Sequence, residues 1–294
     1  MLLRMQMTPT FDDGRTTFQK AELQTMSSNP SSCVVLVPVG SHIEPQTENA
    51  LRELERRGYP VWRSFGCSAI DFARSRLATQ ALSQGFAETL WIDADIVFDP
   101  DEVERLRRWT LSDIRSVGKS EPAGESTSEP ASELDSQAEK PLVVTGVYAK
   151  KGLRELALQM FVEAGETLHF GLNAPFQKAI YAPGGMLLVR RRAYEMVAES
   201  CQLPHCTTNE DFGMIPFFMP LIIQEGSHSI YLCEDFAFSR RLRDVGIDIW
   251  IDMQIRLYHL GSYPYSWEDA GKAVERYASY RFVFQPKSTG NIEA

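Results

Sequence analysis

The stretch Leu90-Trp91-Ile92-Asp93-Ala94-Asp95-Ile96-Val97-Phe98 constrains this chain more than any other. An apolar run fit for a buried strand is broken by two carboxylates two residues apart, and Pro100 and a helix-like Asp101-Glu102-Val103-Glu104-Arg105-Leu106 follow. Taking an ionised carboxylate out of water is costly unless a cation or hydrogen-bond donors compensate, so the strand is expected to end here, at a site. Side chains at i and i+2 project from one face of an extended chain, which lets Asp93 and Asp95 face one divalent cation. Oxygen ligands suit the hard ions Mg²⁺ and Mn²⁺. The plainer alternative is a strand terminus whose acids cap turn amides. The tripeptide alone is compatible with both.

The flanks place this strand third in an α/β series. Cys33-Val34-Val35-Leu36-Val37-Pro38-Val39 is a continuous apolar run of the kind buried on both faces. Gly40-Ser41-His42 supplies a turn, and the spacing of Ala50, Leu51 and Leu54 predicts a helix over 45–57 that Gly58 closes. A second strand over Tyr59 to Phe65, a helix over Asp71 to Gln84 bearing Arg74 and Arg76, and the strand Glu88 to Ile92 complete the series. Such alternation predicts a sheet with right-handed crossovers, whose ligands gather beyond the carboxyl ends of its strands. Asp93 and Asp95 fall at that end.

Residues 1–32 are polar and aperiodic and are expected to form a flexible tail. Residues 112–141 are low in complexity and carry net −4 of the chain's −9. This segment cannot bury enough apolar surface to offset its ordering entropy, so it is expected to be a disordered acidic insertion, or else a linker between independent domains. A strand resumes over Leu142 to Tyr148, and further strands are expected at Ala157 to Val162 and Thr167 to Phe170. The Gly184-Gly185 pair precedes a strand over Met186 to Arg190 and a helix over Arg191 to Glu199. Paired glycines let a ligand approach backbone amides closely, though a plain tight turn fits equally well.

Met214 to Ile223 is apolar with two prolines and predicts a buried or groove-lining loop. Glu234 and Asp235 open a helix, where the dipole and free amides favour negative charge. A strand over Asp248 to Ile251, a last one carrying His259, and an amphipathic closing helix over Ser266 to Tyr280 follow.

At 294 residues, 44% hydrophobic and 23% charged, the chain is ordinary for a globular α/β protein. The acidic balance argues against a nucleic-acid partner. Five scattered cysteines, an odd number, suit reduced thiols. Cys201, His205 and Cys206 lie close together, yet no second ligand pair matches a structural zinc spacing. No signal-peptide pattern and no apolar window near about 20 residues is present, so a cytoplasmic location, with peripheral membrane attachment as a variant, and no transmembrane segment are expected.

Taken in order, the Asp-Ala-Asp strand, Ala73-Arg74-Ser75-Arg76, Pro183-Gly184-Gly185, Glu234-Asp235-Phe236-Ala237-Phe238 and His259-Leu260-Gly261-Ser262 resemble the motifs of GT-A nucleotide-sugar glycosyltransferases. The chain is similar, more narrowly, to the Anp1/Mnn9-type mannosyltransferases and related bacterial enzymes, from about Cys33 to Tyr265 without the insertion. The resemblance implies a Rossmann-like, mixed and mostly parallel sheet flanked by helices, in a single domain over 33–265, followed by a C-terminal helix and tail over 266–294. It implies a metal-dependent enzyme that transfers a sugar from a UDP- or GDP-sugar to the hydroxyl of a glycan, lipid-linked or protein acceptor.

In that family Asp93, Asp95 and His259 match the positions that hold Mn²⁺ or Mg²⁺ against the donor diphosphate. Asp95 matches the direct ligand, and Asp93 lies nearer the ribose or a bound water. Pro38, Val39, Gly40 and Ala94 match the nucleotide cradle. Asp71 and Arg74 match contacts to base or phosphate, with a surface ion pair the alternative for each. Gly184 and Gly185 match the approach of donor sugar and acceptor. Asp235, with Glu234 beside it, matches the acceptor-side general base of inverting members, and Phe212 to Pro220 is expected to form an aromatic-lined acceptor flap.

Two other classes compete. Asp93-Ala94-Asp95 also fits the nucleophile motif of haloacid-dehalogenase-type phosphatases, although that motif belongs on a first strand and two strand-helix units precede it here. A GT-A domain that only binds nucleotide sugars is the non-enzymatic alternative.

Overall fold

The computed structural model describes residues 29–116, 139–207 apart from 154 and 164, 213–270 and the backbone of 279–283. The first half runs β1 (Cys33–Pro38), α1 (Pro45–Arg56), β2 (Val61–Ser64), α2 (Ile70–Ser83), β3 (Glu88–Ile92), β4 (Ile96–Val97), α3 (Pro100–Arg108) and α4 (Leu111–Ser116). Beyond the insertion come β5 (Val143–Thr145), β6 (Gln159–Met160), β7 (Thr167–Gly171), β8 (Gln177–Tyr181), β9 (Met186–Arg190) and α5 (Arg191–Ser200). The last part holds β10 (Leu221–Glu225), β11 (His228–Leu232), α6 (Glu234–Asp244), β12 (Ile249–Ile251), β13 (Tyr258–Leu260), β14 (Pro264–Tyr265) and β15 (Ser279–Val283).

Among the described residues one sheet of eight strands has the order β2-β1-β3-β9-β5-β12-β8-β6. The pairs β1·β2, β1·β3 and β5·β12 are parallel, whereas β3·β9, β5·β9, β12·β8 and β8·β6 are antiparallel. Only β9 and β8 therefore run against the rest. The expected mixed sheet is present and most strands share a direction, but most pairings are antiparallel, because each reversed strand is inserted between two of the other sense. The two sides of the 112–141 segment lie in the same sheet, so it does not link independent domains.

The β1 run alternates sides with period two. Val34 and Leu36 join Trp91, Val189, Tyr194 and Phe238 in one buried layer, packed by residues of α2, α5 and α6. Cys33, Val35 and Val37 join Leu90, Ile92, Val144 and Leu188 in the other, under α1 and α3. Fully burying one such aliphatic side chain contributes about 1.5–3 kcal/mol, which fixes the register: a one-residue slip would exchange the two layers.

The antiparallel β9 matters most for the site. Its first residue, Met186, pairs with Ile92, the last of β3, and Leu187 pairs with Thr145, the last of β5. Gly184 and Gly185 thus arrive at the carboxyl ends of β3 and β5. A second, small sheet β14-β13-β4 pairs His259 with Ile96 and Tyr258 with Val97.

Several expectations are corrected. Of the closing helix expected over Ser266 to Tyr280, Trp267–Ala270 form a 3₁₀ turn and Ser279 and Tyr280 belong to β15, paired antiparallel with β7, while 271–278 lie outside the described residues. Trp267 is fully buried and stacked on Phe170 at 5.3 Å, so the core extends past residue 265. Within the expected insertion, 112–116 are helical and Ile114 is buried, while 117–138 lie outside the described residues, as does most of the expected N-terminal tail. The run Met214 to Ile223 ends in strand β10, which pairs with β11 as a hairpin. Neither β8 nor this hairpin has a strict enough apolar alternation to announce itself.

One half-buried acid sets a pH dependence. Glu102, in the first turn of α3, is pushed up from the ordinary carboxylate value to about 7, chiefly by burial and further by Asp252, with Arg105 opposing. A carboxyl whose pKa rises on folding adds stability below its unfolded pKa and loses it as pH climbs through the folded one. Urea denaturation should therefore find the protein losing stability between about pH 4.5 and pH 7. Glu102→Gln should flatten that slope and raise stability at pH 8 by ~1–3 kcal/mol. An unchanged slope in the variant would refute the assignment to Glu102.

Candidate active site at the carboxyl end of the central sheet

The Asp93-Ala94-Asp95 turn is tied at each residue to a different part of the chain. Asp93 N donates to Gly185 O at 3.1 Å, Glu44 N donates to Ala94 O at 2.8 Å, and Leu260 N donates to Asp95 O at 2.8 Å. Thr47 Oγ1, at the start of α1, donates to Ile96 O at 3.0 Å. A turn whose backbone is fixed from β9, the α1 entry and β13 aims its side chains without further ordering cost.

The two carboxylates point to different partners. Asp93 Oδ1 accepts from Arg74 Nη2 at 2.6 Å. Arg74 is 2% exposed, its guanidinium lies 5.3 Å over the Trp91 ring, and its Nη1 donates to Gly184 O at 3.4 Å. Its Nε is buried without a hydrogen bond, with Glu234 Oε1 at 3.7 Å. The surface ion pair weighed for Arg74 is thereby replaced by a buried one with Asp93. A buried charge of this kind persists only with compensating partners, and here Asp93, Glu234 and Asp235 all act to keep Arg74 charged against its burial.

Asp95 faces the other way, toward His259 and Lys151. His259 Nε2 is 3.6 Å from Asp95 Oδ1, and Lys151 Nζ makes an ion pair with Asp95 Oδ2. His259 Nδ1 lies 3.3 Å from Ala149 O, a contact in which the ring nitrogen must donate. Burial lowers the His259 pKa, Lys151 lowers it further, and Asp95 opposes. Among the expected metal ligands, Asp95 and His259 are the two that the structure brings together, with Oδ1 and Nε2 3.6 Å apart, so they are the pair that could hold a divalent cation. Asp93 does not join them in one tight cluster: among the described residues, the group of three whose ligand atoms all lie within 4.8 Å is Cys233, Glu234 and Asp235.

Those three stand at the start of α6. Asp235 Oδ1 accepts from Phe236 N at 2.8 Å and from the Cys233 thiol at 2.9 Å, the end-capping role weighed from sequence. Burial raises the Glu234 pKa, the Asp235 charge adds to this, and Arg74 opposes it. Arg74 is thus the pivot that holds the β3 acid and an α6 acid to one guanidinium.

The glycine pair is explained by close approach. A Cβ on Gly184 would fall 2.5 Å from Arg74 Cζ, and one on Gly185 would fall 2.7 Å from Tyr148 Cζ and nearer still to its hydroxyl oxygen. Both neighbours are buried and cannot yield. Tyr148 itself was not anticipated. It is packed edge-on to His259 at 5.1 Å, and burial, followed by the charges of Asp93 and Asp235, keeps its hydroxyl protonated well above the usual range.

The nucleotide-cradle residues are more dispersed. Pro38 and Val39 are buried, with Val39 N donating to Ser64 O, so they offer backbone at most, whereas Gly40 is exposed at the rim. Asp71 is in the first turn of α2, three residues before Arg74 and on the same face. Ala94 is half-buried and belongs to the fixed turn. The expected acceptor flap is corrected: Phe217 and Phe218 are fully buried against Tyr194, Trp91 and Phe238, and Arg241 Nη1 donates to the carbonyls of Phe217 and Met219. Phe212 lies outside the described residues.

Lys151 was also missed. Its one legible signal was a lysine pair just beyond a strand whose end faces the same site. No helix among the described residues is long and apolar enough to cross a membrane.

No family model and no curated protein matches the chain. The crystal structure of A197 from STIV aligns with 89% of this chain and 98% of its own, at 11% identity and a TM-score of 0.43. A likeness of that strength carries no functional argument.

Proposed function

We propose that the chain is a metal-dependent glycosyltransferase that moves a sugar from a UDP- or GDP-sugar to an acceptor hydroxyl on a glycan, a lipid-linked saccharide or a protein. One observation carries it. Asp93 and Asp95 after β3, the glycine pair before β9, Glu234 and Asp235 on α6 and His259 on β13 meet at one end of the sheet, with Arg74 and Tyr148 packed between them. The mixed sheet, with its acids beyond a parallel strand, is consistent with a GT-A-like, Rossmann-like domain.

In this reading Asp95 and His259 would hold Mn²⁺ or Mg²⁺, which when bound would offset the negative charge that builds on a departing nucleoside diphosphate. Asp93, oriented by Arg74, faces the ribose or a water. Gly184 and Gly185 let the donor sugar lie against backbone. Asp235 takes the proton of the acceptor hydroxyl as that oxygen attacks the anomeric carbon, and Glu234 sets the local charge beside it. The phosphatase alternative asks Asp93 to attack phosphorus, yet its oxygen is held at 2.6 Å by a buried guanidinium, which makes it a poorer nucleophile.

A thermal-shift panel of UDP, GDP and their sugars, with and without Mn²⁺, tests the proposal. A ligand that binds only the folded state raises the melting temperature, so one base series should stabilise the protein in Mn²⁺ and lose that effect in EDTA. Release of phosphate from simple phosphomonoesters, with no shift from any nucleotide, would favour the phosphatase instead.

A further inference from the structure

The lysine beside Asp95 has a position that a surface salt bridge does not require. After β5 the chain passes Tyr148, reverses, and returns antiparallel: Ala149 bridges Leu156, Lys150 N donates to Glu155 O at 2.9 Å, and Ala157 N donates to Tyr148 O at 2.9 Å. Lys151 stands at the apex, followed by Gly152 at φ +71°, a backbone conformation that suits glycine. The two neighbouring lysines differ in use. Lys150 Nζ pairs with Glu155 within the loop at 3.1 Å, while Lys151 reaches inward to Asp95. Its stem crosses Gly261, where an added Cβ would stand 3.3 Å from Lys151 Cδ. The ammonium therefore lies against the carboxylate that the proposed metal site needs, opposite His259.

Building on the glycosyltransferase reading, we infer that Lys151 is a mobile counter-ion that neutralises Asp95 while no divalent cation is bound and transfers to the donor diphosphate when a divalent cation takes its place. A divalent ion and an ammonium cannot share one carboxylate without strong like-charge repulsion. The lysine stem is flexible and its three donors rotate freely, and the loop apex is half exposed, so the displaced ammonium has room to swing. The anion then within reach is the diphosphate held by the same cation. Lys151 thus opposes metal binding alone and favours metal binding with nucleotide, which couples the two ligands.

Isothermal titration of Mn²⁺ alone, and then of UDP and GDP in saturating Mn²⁺, is the test, with wild type compared to Lys151→Met. The variant should bind Mn²⁺ about tenfold more tightly and the preferred nucleoside diphosphate about tenfold more weakly, each a 1.4 kcal/mol change. Damage to the loop would weaken both, so the opposed signs are diagnostic. Equal Mn²⁺ affinity in the two proteins, or undiminished diphosphate binding in the variant, overturns the counter-ion role and leaves the metal site standing. Absence of Mn²⁺ binding from both proteins overturns the metal site and the counter-ion role together.

Discussion

Asp95→Asn is expected to abolish the Mn²⁺-dependent part of nucleotide binding and to cut sugar transfer at least about a thousandfold, a loss of ~4 kcal/mol of transition-state stabilisation. The reason is local. Asp95 is held from behind by the Leu260 amide and presents its carboxylate between the His259 ring and Lys151, so under the proposed function its charge is what would draw the cation to that spot. An asparagine keeps the shape and loses the charge. Asp93→Asn is the informative comparison, because Asp93 spends an oxygen on Arg74 and stands apart from His259. That variant should retain Mn²⁺ binding by titration while losing activity. If Asp95→Asn still shifts in melting temperature with Mn²⁺ and nucleotide as the wild type does, the metal assignment fails.

Arg74→Met should destabilise the fold by about 3 kcal/mol, the cost of removing one partner from a buried ion pair. The guanidinium is packed over Trp91 and under Gly184 and neutralises Asp93, which follows β3, and Glu234, which opens α6. Without it two carboxylates face each other in a partly dry cleft. Urea denaturation would read the loss as a lower midpoint with an unchanged slope. Combining Arg74→Met with Asp93→Asn should recover part of the stability, since the second change removes the stranded charge, and a double-mutant cycle isolates that term. A single-variant change within about 0.5 kcal/mol would place Arg74 among ordinary surface residues and refute its role as pivot.

Much of the α/β frame is legible in the linear chain. The β1 run is so continuously apolar that only burial on both faces accommodates it, β3 ends in the apolar Leu90-Trp91-Ile92, and α1 repeats its apolar residues at helical spacing. The Asp-Ala-Asp interruption is legible for the same reason, since charge in a buried strand demands a cause. Weakly patterned segments are not. β8 reads Gln177-Lys178-Ala179-Ile180-Tyr181, and its place beside β12 comes from pairing rather than from its own pattern. Helical periodicity was equally misleading at Ser279 and Tyr280, because β7 offered an edge that β15 could extend.

The sequence by itself determined which residue types are available for chemistry: two acids after a buried strand, two glycines before another, two acids at a helix start and a late histidine. Only the tertiary structure decided which of them work together. The pairing of β13 with β4 carries His259 to Asp95 across more than 160 positions of chain, and the reversed direction of β9 brings Gly184 onto Arg74. Nothing in local spacing separates Asp93, which is given to a guanidinium, from Asp95, which is given to a histidine and a lysine. Strand pairing and close packing act between residues remote in sequence, so the division of labour within the Asp-Ala-Asp turn was set by the fold.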